Sequence, residues 1–481
     1  MRPMLAIFFC LPPALPAAEI VASSASWAHV SSAVGTASDG DTVLIPNGSA
    51  IWTNSIVTTK QIIIRAQNYT PTAQPWTNLT RNVVITATTN TTNHILRFTS
   101  GNSFHCGVGG IQFLPPVADE QSGTGLFGYV RFSGSGTKPP LLFDCYFVAN
   151  DRENVTSSEA SFISIDSLGA VVWNCLFDGS RVPDGVSVAV KGMGGAGFHI
   201  TSPRAWTTAS TMGTLDTSGL VNVYVEDCQW FLWGQSDVDD NGRLVTRNSK
   251  MNGSSWQTHG FTSSFGGRHV ELYDMELVNT IVDRNFRVYF WARGGTFLST
   301  NCSVDDNNTG YGAVRLFSAG DNVNPSGPYP VDRQPGYGHN GSAHVSDPVY
   351  LWNNTGDAPY SWSVEANWDS HFDLDRDIFA NSGAKSGYTK YTYPHPLRDV
   401  IEGSDPEPAA PVNRIQIKGP STFGGKVGFS MLLYPESEPF LVERSHDMSG
   451  WEMFLAGADG IQSIDARIDL TEPMKFYRMA P

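Results

Sequence analysis

Short apolar segments separated by polar turns run along most of the chain. They are rich in β-branched residues, as in TVLIP, QIIIRA, NVVITA, VNVYVE and GRLVTR. Each segment has the length of a strand, and no helical period persists beyond residue 40, so the pattern predicts an all-β body. The exception lies near the start, where Ser26 can cap a short helix that carries Trp27, Val30 and Val34 on one face. We expect this helix to cap the first strands.

A four-residue pattern follows several of these segments: an Asn or Asp, usually a Cys, any residue, and a bulky apolar residue. The leading Asn or Asp is found at Asp144, Asn174, Asp227, Asn248, Asp274 and Asn301. If the 53 residues between Asn174 and Asp227, and the 52 between Asn301 and Asn353, each span two coils, the repeat has the period of a solenoid, roughly 20 to 30 residues. Asn and Asp accept left-handed backbone at sharp bends. The repeat therefore predicts one corner of a right-handed parallel β-helix.

Five cysteines follow the first 18 residues, and four of them occupy the second position of this repeat. They are Cys106, Cys145, Cys175, Cys228 and Cys302. An odd number cannot pair fully within one chain, and parallel side chains in stacked coils are poorly oriented for disulfides. We predict that these cysteines act as small buried apolar residues.

Three further features divide the chain. Residues 1–18 hold Arg2, an apolar run and two small residues, and predict a signal peptide and secretion. No later segment has the length of a membrane span. Residues 19–403 form the predicted β-helix, 404–411 (SDPEPAAP) a proline-rich linker, and 412–481 a small β-sandwich that attaches to a surface or a glycan.

The overall charge narrows the partners. With 31 basic and 46 acidic residues the net charge is −15, which argues against nucleic acid as a partner. An anionic glycan would have to be bound by local basic groups that overcome this field.

The chain resembles the pectin-lyase-like parallel β-helix family over roughly residues 20 to 400. The segments that carry the resemblance are DGDTVLIPNGSAIWTNSIVTTKQIIIRAQ and VTRNSKM, while QTHGFTSSFGGRHVELYDMEL, WARGGTFLSTN and GYTKYTYPHPL are similar to a bacterial secreted group of such proteins without a defined reaction. The resemblance implies the fold and a carbohydrate-active role. The predicted function is cleavage of an acidic, uronate-containing polysaccharide.

Alignment of the coils on the corner residues places candidate side chains in columns. Asp240, Gly266 and Arg293 share one column, and Gly242, Arg268 and Gly295 share another. Together with His259 in the middle coil, the acid and the arginines suit a glycan that carries a carboxylate. Arg268 and Arg293 are preferred because they lack an evident acidic neighbour in their columns, whereas Lys250 faces Glu276 and is set aside.

The order Asp239, Asp240, His259 and Arg293 is similar to the DD, HG and arginine elements of polygalacturonase-type glycoside hydrolases. The NTD element of that pattern is missing, and Gly295 stands where its lysine would be. Hydrolysis needs a suitably placed carboxylate pair. Lyase chemistry, which we place first with hydrolysis as the second choice, instead needs a base and a cation that neutralises the uronate. A non-catalytic glycan-binding or adhesion protein is the rival interpretation.

Other residues complete the predicted site. Trp233 and Trp256 lie in turn-like sequence and are predicted to stack on sugar rings. Arg284 and Arg287 complete the predicted substrate-binding set. Oxygen ligands at alternate positions, at Asp237, Asp239 and Asn241, predict a calcium site.

Overall fold

The short apolar segments form parallel strands in three long sheets, which we call sheets A, B and C. The computed structural model describes residues 17–68, 81–87, 94–99, 101–115, 128–148, 162–179, 198–206, 212–216, 218–233, 235–258, 266–278, 288–305, 313–316, 334–340, 343–356, 362–364, 372–380 and 383–402, together with the C-terminal strands given below. Each coil passes through sheets A, B and C in turn, and each strand pairs in parallel with its counterpart in the next coil. The protein is a parallel β-helix, as predicted.

Strands are numbered along the chain. Sheet A contains β1 (Glu19–Val21), β2 (Thr42–Ile45), β5 (Ile63–Ala66), β8 (Gly107–Gly109), β11 (Leu141–Phe143), β14 (Ala170–Trp173), β17 (Val223–Glu226), β20 (Arg243–Arg247), β23 (His269–Tyr273), β26 (Thr296–Thr300), β31 (Val349–Trp352) and β34 (Ile378–Ala380). Sheet B contains β3 (Gly48–Trp52), β6 (Val83–Ala87), β9 (Ile111–Leu114), β12 (Tyr146–Val148), β15 (Leu176–Asp178), β18 (Gln229–Phe231), β21 (Lys250–Asn252), β24 (Glu276–Val278), β27 (Ser303–Asp305) and β32 (Thr355–Gly356). Sheet C contains β4 (Ile56–Thr58), β7 (His94–Thr99), β10 (Gly128–Gly134), β13 (Ile163–Ser167), β16 (Phe198–Thr201), β19 (Gln235–Val238), β22 (Ser255–Thr258), β25 (Phe290–Ala292), β28 (Val314–Leu316) and β33 (Trp362–Val364).

The predicted corner lies between sheets A and B. Its residues all have left-handed backbone, with φ between 49° and 56°: Asp144, Asn174, Asp227, Asn248, Asp274, Asn301 and Asn353. The predicted spacing is wrong at two places, because β14 pairs directly with β17, and β26 directly with β31. The intervals of 53 and 52 residues are single coils that contain insertions. One insertion includes a 3-10 helix (Gly213–Leu215) and the other a hairpin of β29 (Tyr337–Asn340) and β30 (Ala343–Ser346).

Apolar side chains stack between the three sheets and form one continuous core. Phe113, Phe147 and Phe177 stack in successive coils, with ring centroids 5.1 and 5.5 Å apart. The five described cysteines are buried and unpaired, which confirms the prediction that they act as core residues. Burial raises the pKa of the Cys106 thiol to about 12, so this thiol stays protonated and unreactive at neutral pH.

The predicted capping helix is present at the first coil. Helix α1 (Trp27–Thr36) begins after Ser26, whose hydroxyl accepts a hydrogen bond from the backbone N–H of His29 at 3.4 Å. Val30 and Val34 are buried in the core cluster, while Trp27 packs against it partly exposed. The helix thus covers the end of the apolar core. No helix within the described residues is long and apolar enough to cross a membrane.

Residues 383–397, which we call the strap, pack against the outer face of sheet A. The strap is anchored on the ion pair of Arg247 and Glu226, whose side chains are both fully buried. Arg247 also donates to the backbone carbonyls of Tyr391 and Thr392, each at 2.6 Å. Glu226 accepts a hydrogen bond from the backbone N–H of His395 at 3.0 Å.

The strap also contacts the corner residues. Lys390 forms an ion pair with Asp274 at 2.6 Å, and the hydroxyl of Tyr393 donates to the carboxylate of Asp227 at 2.6 Å. Two acidic corner positions are therefore occupied by structural partners.

The chain divides into two compact units, residues 1–397 and 398–481. The second unit starts with a short helix α2 (Asp399–Glu402) and contains two three-stranded antiparallel sheets. One sheet has β35 (Arg414–Phe423), β36 (Lys426–Tyr434) and β39 (Ile464–Ile468), and the other has β37 (Phe440–Ser445), β38 (Glu452–Gly457) and β40 (Phe476–Met479). Residues 1–16, most of the predicted signal peptide, and 404–411, the predicted linker, lie outside the described residues.

Candidate functional site

Sheet C carries a row of outward-facing side chains along its length, which we call the outer row. Strand register aligns Val57, Arg97, Arg131, Ser164, His199, Asp237, Gln257 and Trp291 across β4, β7, β10, β13, β16, β19, β22 and β25. The residues next to them in the chain, such as Ile200 and Val238, are fully buried in the core. Since side chains alternate between the two faces of a strand, the outer row points away from the core.

Near the middle of this face, His199 lies beside an aspartate from the next coil. Its Nε2 atom is 3.8 Å from Oδ2 of Asp239, and the two side chains are 15% and 14% exposed. Asp239 directly follows β19, and its backbone N–H donates to the carbonyl of Ile200 at 2.8 Å. This backbone bond continues the pairing of β16 with β19 and holds the imidazole and the carboxylate on the same face.

The carboxylates around His199 raise its pKa above the usual value. Burial alone lowers this pKa, but the contact with Asp239 and the charges of Asp237, Asp239 and Asp240 outweigh burial. His199 is therefore protonated over a wider pH range than an ordinary histidine. Asp237 is buried and Asp240 is exposed, so the carboxylates stand at different depths around the imidazole.

A tight turn at Asp240 and Asn241 leads the chain out of sheet C. Both residues have left-handed backbone, with φ of 35° and 66°, and the N–H of Gly242 donates to the carbonyl of Asp239 at 2.7 Å. Asp237, Asp239 and Asn241, which lie in or just before this turn, are the predicted calcium ligands. Among the described residues no group of three or more His, Cys, Asp or Glu is arranged to hold a metal ion. The described geometry accordingly gives the calcium prediction no support.

Arg293 lies at the same end of sheet C, directly after β25. Its side chain is 3% exposed, and its backbone N–H donates to the hydroxyl of Thr258 at 2.8 Å. Thr258 ends β22 and directly precedes His259, which lies outside the described residues. Because β19, β22 and β25 are neighbouring strands, the segments that carry Asp240 and Arg293 belong to coils on either side of β22.

Gly295 gives a steric reason for the missing lysine of the polygalacturonase pattern. Its φ is 72°, and a Cβ atom there would lie 2.1 Å from the carbonyl oxygen of Gly267 and 2.6 Å from that of Arg268. A lysine would require the backbone of the previous coil to move. The coil therefore cannot supply this cation without repacking.

Arg268 was preferred because it lacks an acidic neighbour in its column, but the structure gives it an acidic partner from outside the column. Its guanidinium forms an ion pair with Asp347 at 3.0 Å and lies 5.7 Å from the ring centroid of Trp206. Asp347 is in the connection between β30 and β31, so no comparison of columns could reveal it. Arg268 joins inserted segments to the coil. Arg284 and Arg287 lie outside the described residues.

Trp233 and Trp256 are not exposed stacking platforms, and this prediction is wrong. Both are fully buried in the core, where the ring of Trp233 is 5.1 Å from that of Phe162, and the ring of Trp256 is 5.6 Å from that of Phe198. Trp256 is the second residue of β22 and faces inward, despite the turn-like sequence before it. The tryptophan on the outer row is Trp291, which is partly exposed.

His199 is the site residue that the sequence analysis missed. The signal for it is weak: in the segment FHIT it stands between two inward apolar residues, as expected for a strand with one polar face. Lys250, by contrast, forms the expected exposed ion pair with Glu276, at 2.5 Å. Its exclusion from the site is consistent with this pair.

Comparison with known proteins gives the following matches. No protein-family model and no curated protein sequence matches the chain. The chain is similar to the crystal structure of an alginate lyase from Paenibacillus sp. str. FPU-7, with 12% identity and a TM-score of 0.33, over 61% of this chain and 97% of that chain. It is also similar to the tailspike protein gp49 from Acinetobacter baumannii bacteriophage Fri1, a capsular polysaccharide depolymerase, with 10% identity and a TM-score of 0.33, over 95% of this chain and 78% of that chain. These values are too low to transfer an activity.

Proposed function

We propose that the protein hydrolyses an acidic polysaccharide on the outer face of sheet C, with His199 as the proton donor. The 3.8 Å contact between His199 and Asp239 carries the proposal. Cleavage of a glycosidic bond by hydrolysis requires an acid that protonates the leaving oxygen and a carboxylate that acts on the other side of the reaction. The resemblance to pectin-lyase-like proteins supports a glycan as the substrate.

In the proposed reaction, the imidazolium of His199 donates its proton to the glycosidic oxygen while the bond from this oxygen to the anomeric carbon breaks. Asp240, the exposed aspartate, accepts a proton from water, whose oxygen forms the new bond to the anomeric carbon. Asp239 is in contact with the imidazole and keeps it charged, and it is too close to the acid to act on the opposite side of the sugar. The carboxylic acid then returns a proton to the imidazole through solvent. One water is consumed and both groups are restored. Trp291, further along the outer row, offers an apolar face for a sugar ring.

The charge of the site favours hydrolysis over elimination. The transition state of hydrolysis is an oxocarbenium-like cation, which Asp237, Asp239 and Asp240 would stabilise. Elimination builds negative charge next to a uronate and needs cations at that point. The carboxylates that raise the pKa of His199 would oppose such charge. The sequence places a lyase first, whereas the arrangement of these groups supports the hydrolase.

The test is incubation of the protein with a panel of uronate-containing polysaccharides. Extracellular polysaccharides are chosen because the protein is predicted to be secreted. Reducing ends and unsaturated ends are recorded separately. We expect reducing ends without unsaturated product, and a loss of rate on the order of 10²- to 10⁴-fold in His199→Ala. His29→Ala, which removes an exposed histidine on α1, is the matched control and should be fully active.

Three other results have defined meanings. Unsaturated ends would establish a lyase and remove His199 as the acid of a hydrolysis. Unchanged turnover in His199→Ala would remove the proposed site altogether. Binding without any product on the whole panel would favour the rival, a glycan-binding or adhesion protein, whose C-terminal unit we would then test alone for attachment to the same glycans.

A further inference from the structure

Two arginines occupy neighbouring positions on the outer row, toward its N-terminal end. Arg97 on β7 and Arg131 on β10 are directly paired in register, and both are partly exposed. Like charges that face each other across neighbouring strands destabilise a sheet. Such a pair is expected to persist where an anion binds between the two groups.

The acidic residue on the same face of the neighbouring strand β13 is Asp166, two positions beyond Ser164. The row continues from Val57 through the two arginines to Ser164. Within the part of the chain that the structure describes, the Nε–H of Arg131 is buried and has no hydrogen-bond partner. Within the described residues neither guanidinium forms an ion pair, in contrast to Arg65, which pairs with Glu19 at 2.9 Å. A buried donor without a partner is costly, and a ligand oxygen would satisfy it.

We infer that Arg97 and Arg131 form a subsite for an anionic substituent of the substrate, a carboxylate or a sulfate. Guanidinium groups bind such planar or tetrahedral oxyanions through two parallel N–H donors. The inference rests on the proposed function only in that it places this subsite in the same glycan-binding face as His199.

The subsite is separated from the reacting groups by a fixed distance. Arg131 and Arg97 lie two and three strands before β16, which corresponds to about 10 and 14 Å along the sheet from His199. A glycan that spans this face would therefore present its negative charge to the arginines, and a different part of its chain to the aspartates. The subsite thus favours a glycan that carries a negative charge about 10 to 14 Å from the bond that is cleaved.

Binding is measured by titration calorimetry on the full chain with His199→Ala, so that the ligands are not consumed. The probes are hyaluronan fragments, the same fragments with their carboxyl groups reduced to alcohols, and chondroitin sulfate fragments. We expect an anionic probe to bind at least about tenfold more tightly than the reduced one, and Arg97→Gln or Arg131→Gln to cost about tenfold each. Arg65→Gln, on sheet A, should change nothing.

A stability measurement separates binding from a structural role. Because the arginines repel each other, Arg131→Gln should leave the melting temperature unchanged or raise it. A fall in melting temperature together with unchanged binding would assign both arginines to structure.

The remaining outcomes are as follows. Equal binding of reduced and anionic probes, binding of none of them, or a preference that survives in the double variant would overturn the subsite. A preference for either anion that disappears in the double variant supports it and identifies the anion. A preference for anionic probes without any cleavage by the unsubstituted protein would refute the proposed hydrolysis but leave the subsite standing. Cleavage without such a preference would refute the subsite but leave the proposed hydrolysis standing.

Discussion

Replacement of Arg247 by methionine should strongly destabilise the β-helix. The side chains of Arg247 and Glu226 are fully buried, and the guanidinium also donates to the hydroxyl of Tyr273 at 2.8 Å. Methionine fills a similar volume, but it removes the guanidinium from the buried carboxylate of Glu226. The carboxylate keeps the hydrogen bond from the backbone N–H of His395. Removal of one partner from a buried ion pair costs about 3–5 kcal/mol. We expect a loss in this range.

The double variant Glu226→Gln/Arg247→Met tests whether this cost comes from the stranded charge. Glutamine keeps the acceptor for His395 and carries no charge, so the double variant should regain about 2 kcal/mol relative to Arg247→Met. The exposed pair of Lys250 and Glu276 is the control, and Lys250→Met should cost less than about 1 kcal/mol.

Urea unfolding followed by circular dichroism gives the free energies of unfolding. Hydrogen exchange gives the local effect, because the backbone carbonyls of Tyr391 and Thr392 lose their donors and the strap should exchange faster. A loss below about 1 kcal/mol in Arg247→Met, or strictly additive effects in the double variant, would show that the buried pair does not hold the strap in place.

Three further predictions follow from single positions. Trp256→Ala should cost about 3–5 kcal/mol in thermal or urea unfolding because it empties a core site, whereas Trp291→Ala should spare stability and raise KM; equal losses would show that Trp291 is also core. Asn353→Ala should cost about 1–2 kcal/mol, and Asn353→Gly much less, because only the alanine strains the left-handed backbone; equal costs would point to a lost side-chain contact. Asp239→Asn should lower the pKa of His199, as read by NMR titration. The raised pKa contributes stability that is fully present below about pH 6.5 and is lost as the pH rises through the folded pKa, so in this variant the loss, and the alkaline limit of activity, should move to lower pH; an unmoved limit would exclude His199 as the acid.

The corner of the β-helix could be predicted because its residues must satisfy a local backbone requirement. Left-handed φ selects Asn and Asp, so Asn174 and Asp227 mark their bends in the sequence itself. The number of coils between them could not be read in the same way. Insertions on the far side of the coil add residues without adding a corner, and spacing alone does not distinguish an insertion from a second coil.

The candidate site was harder to predict for a related reason. Counting back from the corner works along sheet A, where Arg243, His269 and Thr296 are paired in register as the columns of Gly242, Arg268 and Gly295 require. It does not extend to sheet C, because the connections from sheet C to sheet A differ in length from coil to coil. His199 is separated from its corner by a long insertion and so had no place in any column.

The outer face of sheet C combines two charge environments that serve different steps of one proposed reaction. The net charge of −15 and the aspartates around His199 repel an anionic glycan at the point of cleavage, yet these aspartates suit a cationic transition state. Arg97 and Arg131 reverse the sign of the field two to three strands away. Affinity for an anion and stabilisation of a cation are thereby assigned to separate coils. A substrate with a charge on every sugar would gain at the arginines and lose at the aspartates, so the order of sugars along the glycan, more than its total charge, should decide which bonds are cleaved.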